Sequence, residues 1–86
     1  MTLHLNESVK VLALYDPETG KTLPYRLKWH GTVYNLNKIN YYHRTRQGRV
    51  LIHVYHATDG HMDFRLSLDS ETLCWKLVEI YDRSWN

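Results

Sequence analysis

Two stretches of this chain alternate strictly between apolar and polar residues, and this alternation constrains the fold more than any other feature of the sequence. Successive side chains of a β-strand point to opposite faces, so a period of two predicts a strand with one buried and one solvated face. A third stretch, residues 9–15, is apolar at both odd and even positions, which predicts a strand covered on both faces or lying at a barrel seam. The alternating apolar residues are Leu23, Tyr25, Leu27 and Trp29 in the first stretch and Met62, Phe64, Leu66 and Leu68 in the second.

Turn-forming sequences separate the predicted strands. Within 16–21, Pro17 supplies a φ of about −65°, and Gly20 can adopt the positive φ that many tight turns need. His30-Gly31 fits a two-residue hairpin turn. Three further short turns are predicted: a four-residue loop at 45–48, a three-residue loop at 58–60 and a four-residue loop at 69–72.

Six strands joined by five short turns predict an up-and-down antiparallel meander. The spans are 8–15, 21–29, 32–43, 49–57, 61–68 and 73–81. Twisted strands with one apolar face tend to curl, so we expect an all-β fold: a six-stranded antiparallel meander curled towards a barrel or half-barrel, with residues 1–86 as a single domain. The last span also fits an amphipathic helix capped by Ser70, but Trp75 and Val78 suit a single helical stripe poorly and favour a strand.

The apolar alternation changes phase at two places. Leu36 is out of phase with Ile39, and Leu77 is out of phase with Ile80. A β-bulge inserts one extra residue into a strand and would keep these side chains on the same face while bending the sheet. We therefore predict one bulge at Asn37-Lys38 and another at Val78-Glu79.

The composition narrows the class of protein. A chain of 86 residues has a thin core, since a domain of this size buries only about 60 % of the surface that its unfolded chain exposes. Cys74, the one cysteine, excludes an internal disulfide and the usual multi-cysteine zinc sites, and we expect it to be a small, partly buried residue. No cationic leader followed by an apolar run and no long apolar segment occurs, so we expect a cytoplasmic protein without a membrane partner.

Charge is strongly segregated along the chain. The forty residues 19–58 contain no Asp or Glu but seven cations, a local charge of +7 in a chain whose net charge is +2. With the predicted loops, Asn40, His53, Arg65 and Lys76 form one outer row across four strands. Cations that track phosphates and rings that stack on bases are the elements of a single-stranded nucleic-acid site. The candidate face comprises Lys38, Tyr42, Arg44, Arg46, Arg49, His53, Tyr55, Arg65 and Lys76.

The same side chains also have a simpler interpretation. Exposed strands carry Lys, Arg and Tyr for solubility and for protection of sheet edges, and Asp63 and Asp69 would partly neutralise the face. We therefore favour a protein-interaction or homo-oligomeric assembly module, with single-stranded nucleic-acid binding as the alternative. Trp85, beyond the last predicted strand, could dock on a partner or fold back.

The sequence offers little support for chemistry. His53 and His56 are three residues apart on a predicted strand, so their rings would point to opposite faces and could not share a metal ion. His56 and His61 could approach across the turn with Asp59 or Asp63, but surface histidines are the simpler interpretation. No glycine-rich phosphate loop, paired catalytic carboxylates or nucleophile elbow is present. We expect no enzyme activity, metal or cofactor.

Several spaced motifs resemble a known group of sequences. They are Trp29-x-Gly31-x-x-Tyr34-x-Leu36-x-x-Ile39, Gly48-Arg49-Val50, Phe64-x-Leu66-x-x-Asp69 and Trp75-x-Leu77-x-x-Ile80. This order resembles small bacterial proteins and appended domains catalogued only as domains of unknown function, over most of residues 9–82. The resemblance implies an all-β domain and no activity.

Overall fold

The computed structural model describes residues 2–82 as eight β-strands joined by short connections; residues 1 and 83–86, including Trp85, lie outside the described part. Among residues 2–82 there is no helix, and hence none that could cross a membrane. The strands are β1 (Thr2–Ser8), β2 (Lys10–Asp16), β3 (Lys21–Trp29), β4 (Thr32–Asn35), β5 (Lys38–Gln47), β6 (Val50–Thr58), β7 (Met62–Asp69) and β8 (Trp75–Asp82).

The strands form two antiparallel sheets. The large sheet has the order β1-β8-β7-β6-β5, and the small sheet has the order β2-β3-β4. The chain leaves the large sheet after β1, crosses at Val9, builds the small sheet and returns at β5. The all-β antiparallel prediction is confirmed, as is the strand at the end of the chain. The six-stranded meander curled towards a barrel is wrong: residues 2–82 form eight strands in two open sheets.

The predicted strand 32–43 is split because successive residues bond to different sheets. The amide of Leu36 donates to the carbonyl of Tyr25 in the small sheet, at 2.8 Å. The next amide, from Asn37, donates to the carbonyl of Thr58 in the large sheet, at 2.9 Å. The phase change at this point therefore marks a transfer between sheets, not the predicted bulge at Asn37-Lys38.

Two bulges shape the large sheet. In β5 the register shifts between Ile39 and Tyr41, which leaves Asn40 as the extra residue. In β8, Leu77 pairs with Leu66 and Glu79 pairs with Arg65, so Val78 is the extra residue. The predicted bulge at Val78-Glu79 is thus confirmed.

The β6–β7 register differs from the predicted one by three residues. The predicted loop at 58–60 placed Val54 opposite Phe64, whereas Ala57 occupies that position. The turn lies further along the chain than predicted, at residues 59–61, because one oxygen of Asp59, Oδ1, accepts hydrogen bonds from the amides of His61 (2.8 Å) and Met62 (2.7 Å). An odd shift exchanges the faces of a strand, so β6 turns the opposite side to the core.

The core lies between the two sheets. Leu27 and Leu36 come from the small-sheet side, and Tyr34 of β4 packs its ring against Phe64 of β7 at 5.2 Å. Burying one large apolar side chain contributes about 1.5–3 kcal/mol, so these contacts hold the small sheet against one face of the large sheet. We call the other face of the large sheet the open face. The large-sheet core residues are Tyr55, Ala57, Phe64, Leu66, Leu68, Leu77 and Ile80.

Two of the hairpin turns contain only two residues each. His30 and Gly31 both have positive φ, 49° and 79°, which is the conformation of the predicted two-residue hairpin between β3 and β4. The β5–β6 turn also has only two residues, Gly48 and Arg49, because Gln47 pairs with Val50. The predicted four-residue loop at 45–48 is therefore wrong, and β5 extends further towards its turn.

Candidate interaction surfaces

The end of the β5–β6 hairpin gathers part of the predicted basic face. Tyr42, Arg44 and Arg46 alternate along β5 and therefore share one face of the strand, the face directed to the small-sheet side. His53 pairs with Arg44 on the neighbouring strand. The Tyr42 hydroxyl and His53 Nδ1 are hydrogen-bonded at 2.6 Å and the two rings are stacked, with centroids 5.9 Å apart. This contact fixes both rings in orientation.

Three arginines near this turn are available for an external anion. Arg44, Arg46 and Arg49 are exposed, and none of them forms an ion pair with any other residue in the described range 2–82. A guanidinium presents five donors in a planar fork that matches phosphate and carboxylate oxygens. We call this group, with Tyr42 and His53, the arginine hairpin.

Tyr55 belongs to the core and not to this surface. It pairs with Leu66, is 3 % exposed, and its hydroxyl donates to the carbonyl of Thr22 in β3 at 2.6 Å. Burial, with a smaller effect of neighbouring Tyr42, raises the pKa of Tyr55 to about 12. Its ring cannot stack on a base, which corrects its place among the candidates.

The remaining candidates lie elsewhere. Arg65 and Lys76 are on the open face, because Arg65 pairs with His56 and Glu79, and Lys76 with Ser67. Lys38, next to inward-facing Ile39 on β5, also points to the open face. The predicted outer row of Asn40, His53, Arg65 and Lys76 does not form, and the nine candidates do not share one face.

The open face carries a polar row that the sequence did not reveal. Arg65 is 3.4 Å from Glu79, whose other carboxylate oxygen is 3.0 Å from His4 Nδ1. Tyr41, His56, Arg65, Glu79 and His4 are successive pairing partners across all five strands. Only the correct registers bring them together.

A ring cluster lies at one end of this row. The centroids of Tyr41, His43 and His56 are 5.3 to 5.7 Å from one another. Burial lowers the pKa of His56, and the nearby charges of Arg65 and His43 lower it further. His53 and His56 lie on opposite faces, as their spacing predicts. Within residues 2–82 no group of three or more metal-binding side chains occurs.

The small sheet exposes an apolar edge strand. Leu12 is 54 %, Leu14 55 % and Tyr15 65 % exposed, and no strand of the described residues pairs with the outer side of β2. The expectation that residues 9–15 are covered on both faces is wrong, because the small sheet has only one layer packed against it. Apolar residues on both faces of β2 indicate an apolar surface on each face, but they do not show that both surfaces are covered within one chain.

The other sheet edges carry a backbone feature that discourages pairing, whereas β2 carries only charged residues at its two ends, Lys10 and Asp16. β5 contains the bulge at Asn40, β1 has an irregular register around Asn6 with φ 71°, and β4 has only four residues. Bulges, irregularity and shortness are known ways to protect an edge. The register of β2 with β3 shifts between Leu12 and Ala13, but the extra residue at this shift, Tyr25, belongs to β3, so none of the seven residues of β2 is bulged.

Cys74 also differs from expectation. It lies in the turn before β8 and is exposed, not partly buried, because β8 begins at Trp75.

No family model, curated protein or solved structure matches this chain in sequence or fold. The resemblance to bacterial all-β domains therefore stays a prediction.

Proposed function

We propose that this chain is a non-catalytic homo-oligomeric assembly module that associates through the free edge of β2. The observation that carries the proposal is a seven-residue edge strand on which Leu12, Leu14 and Tyr15 are each more than half exposed. An edge strand presents unpaired N–H and C=O groups to a second strand, and apolar side chains add burial to that pairing. We place the module in the cytoplasm, without a membrane partner, on the basis of its single cysteine and the lack of a long apolar segment.

The test is the concentration dependence of the mass in solution. Two paired seven-residue strands form a small interface, so we expect a weak association that emerges between about 1 μM and 1 mM of protein. Leu12→Lys places a charge on the edge and should weaken association about tenfold or more, equivalent to about 1.4 kcal/mol. Sedimentation equilibrium measures both effects.

A matched control separates the edge from general surface charge. Leu73 is also exposed, at 68 %, but it lies in the β7–β8 turn and is not part of the β2 edge. Leu73→Lys adds the same charge and should leave association unchanged. A wild-type chain that stays monomeric throughout this concentration range would contradict the proposal.

The second candidate function is binding of single-stranded nucleic acid at the arginine hairpin. Its specific support is the set of three exposed guanidiniums, without an ion pair to any residue between 2 and 82, beside the fixed Tyr42–His53 ring pair. Phosphates would contact the arginines, and a base stacked on an aromatic side chain adds about 1–3 kcal/mol. The site is smaller than the nine-residue face that the sequence predicts.

Salt dependence tests this second candidate. Three phosphate contacts on a single strand give a log-log slope of affinity against salt of about −2, at about −0.7 per contact. Arg44→Glu should strongly reduce the affinity for a fluorescent oligonucleotide. Lys76→Glu, which makes the same charge change on the open face, should reduce it far less. Equal loss in the two variants would show attraction to overall charge and no site at the hairpin.

A further inference from the structure

We propose that two copies of the chain pair their β2 strands antiparallel about a two-fold axis at Ala13. The partner is thus a second copy, held in one defined register, and this inference rests on the proposed assembly function. The three strands of each small sheet would then form one continuous six-stranded sheet. The pairs across the junction would be Lys10 with Asp16, Val11 with Tyr15, Leu12 with Leu14, and Ala13 with its own copy.

The charges of β2 specify this register. Its two ionisable groups of opposite sign, Lys10 and Asp16, lie at the two ends of the strand, three residues on either side of Ala13. In an antiparallel pair centred on Ala13, each Lys10 faces the Asp16 of the second copy, and this happens twice by symmetry. Opposite charges directly across two strands stabilise the pair, so the strand is complementary to itself.

Within one copy, Lys10 has an unfavourable neighbour. It pairs with Lys28 on β3, which places two like charges on adjacent strands. Neither lysine forms an ion pair among residues 2–82. An Asp16 carboxylate from a second copy would offset this repulsion. The single chain therefore has two adjacent positive charges at the position where the proposed pairing would bring a carboxylate.

The direction of the side chains excludes every register in which the two-fold axis would lie between two residues of β2. A two-fold axis perpendicular to the sheet keeps each side chain of both copies on the same face, so even-numbered residues must pair with even-numbered ones. Moving the axis to Leu12 would place Lys10 opposite Leu14, and moving it to Leu14 would place Leu12 opposite Asp16. Both shifts lose the ion pairs and shorten the overlap of the two strands. Only the axis at Ala13 matches all seven residues.

Charge reversal tests the register directly. Lys10→Asp alone and Asp16→Lys alone should each weaken self-association about tenfold or more, because every ion pair becomes a like-charge pair. An equimolar mixture of the two variants should form a heterodimer with about the wild-type affinity, because each cross pair again joins opposite charges. Sedimentation with one variant fluorescently labelled distinguishes the heterodimer from either homodimer.

Asp16 also stabilises the β2–β3 turn, since its Oδ1 accepts a hydrogen bond from the Glu18 amide at 2.9 Å. Asp16→Asn keeps this acceptor and removes the charge, so it should weaken association less than Asp16→Lys while retaining the wild-type circular dichroism spectrum. This variant separates loss of the ion pair from loss of the turn.

Cross-linking gives an independent measurement of the axis. Cα atoms directly opposite in antiparallel strands are about 4.5–5.5 Å apart, within the range that a disulfide spans. In a Cys74→Ser background, Ala13→Cys should form a covalent dimer on mild oxidation. Tyr15→Cys should not, since its opposite residue is Val11 and not its own copy.

The outcomes separate the register from the assembly function. Association that is weakened by Leu12→Lys but unaffected by both charge reversals would overturn the register and leave the assembly function standing. Efficient cross-linking of Tyr15→Cys without Ala13→Cys would do the same. A wild-type chain that never associates would overturn both.

Discussion

Two edge strands, β2 of the small sheet and β5 of the large sheet, differ in the partner that suits each of them. β2 has one cation and one anion at opposite ends and apolar residues between them, so two copies attract each other. β5 has three cations, Lys38, Arg44 and Arg46, and no acid, so two copies repel each other. The bulge at Asn40 adds a break in its ladder. The chemistry of the two edges thus supports the proposals of a second copy at β2 and of a polyanion at β5.

The largest loss of stability should come from truncating the core residue that anchors the small sheet, which carries the β2 edge. Leu27 of β3 is 1 % exposed, and Leu27→Ala removes contacts that hold the small sheet on the large one. We expect the free energy of unfolding to fall by about 2–5 kcal/mol. Urea denaturation followed by tryptophan fluorescence measures it.

Leu12→Ala is the matched control in the same sheet. Leu12 is 54 % exposed, so its truncation should change the stability of the monomer by no more than about 0.5 kcal/mol. If Leu12→Ala were as costly as Leu27→Ala in dilute protein, β2 would be covered within the single chain, and the contrast between the two edges would disappear.

Local signals in the sequence predicted the approximate positions of the turns better than the pairing registers of the strands. The β3–β4 turn is encoded by His30-Gly31 alone, and the Val78 bulge is visible as a phase change within one strand. The register of β6 is not visible in this way, because Val54 and Tyr55 make both faces of the strand look apolar. The choice between them depends on hydrogen bonds in the Asp59 turn.

The candidate site was harder to predict for the same reason. An error of three residues in β6 exchanges its faces, which moved Tyr55 into the predicted surface and hid the open-face row. The exposed β2 edge raises a different difficulty. A strand with apolar residues on both faces looks alike whether its cover belongs to the same chain or to a second one.

A smaller effect is expected from the turn that sets the face of β6. The β6–β7 turn keeps Ala57 of β6 opposite Phe64 of β7, and Asp59 accepts two hydrogen bonds within this turn. Asp59→Ala should destabilise the fold by about 1–2 kcal/mol, since each bond contributes about 0.5–1.5 kcal/mol. Asp59→Asn keeps the acceptor oxygen and should recover most of the loss in urea denaturation. Equal losses would show that the carboxylate charge, not the turn geometry, stabilises this connection.

The smallest change in stability is expected from the hydrogen bond between Tyr55 of the large sheet and Thr22 of the small sheet. Tyr55→Phe removes the 2.6 Å bond from the phenol to the Thr22 carbonyl and should cost about 0.5–1.5 kcal/mol at pH 8. Tyr25→Phe, at an exposed phenol, should change the free energy of unfolding by less than about 0.5 kcal/mol.

The pH dependence of this difference has a defined sign. Burial raises the pKa of Tyr55 to about 12, above its ordinary value of 10.0. Below pH 10 the phenol is protonated in both the folded and the unfolded chain, so its contribution to stability is fully present. Between pH 10 and about 12 the unfolded chain releases this proton while the folded chain retains it, so stability falls as the pH rises. The advantage of the wild type over Tyr55→Phe should therefore shrink across this window. A constant difference from pH 8 to 12 would mean that the Tyr55 phenol is hydrated, and that the two sheets are not closed over it.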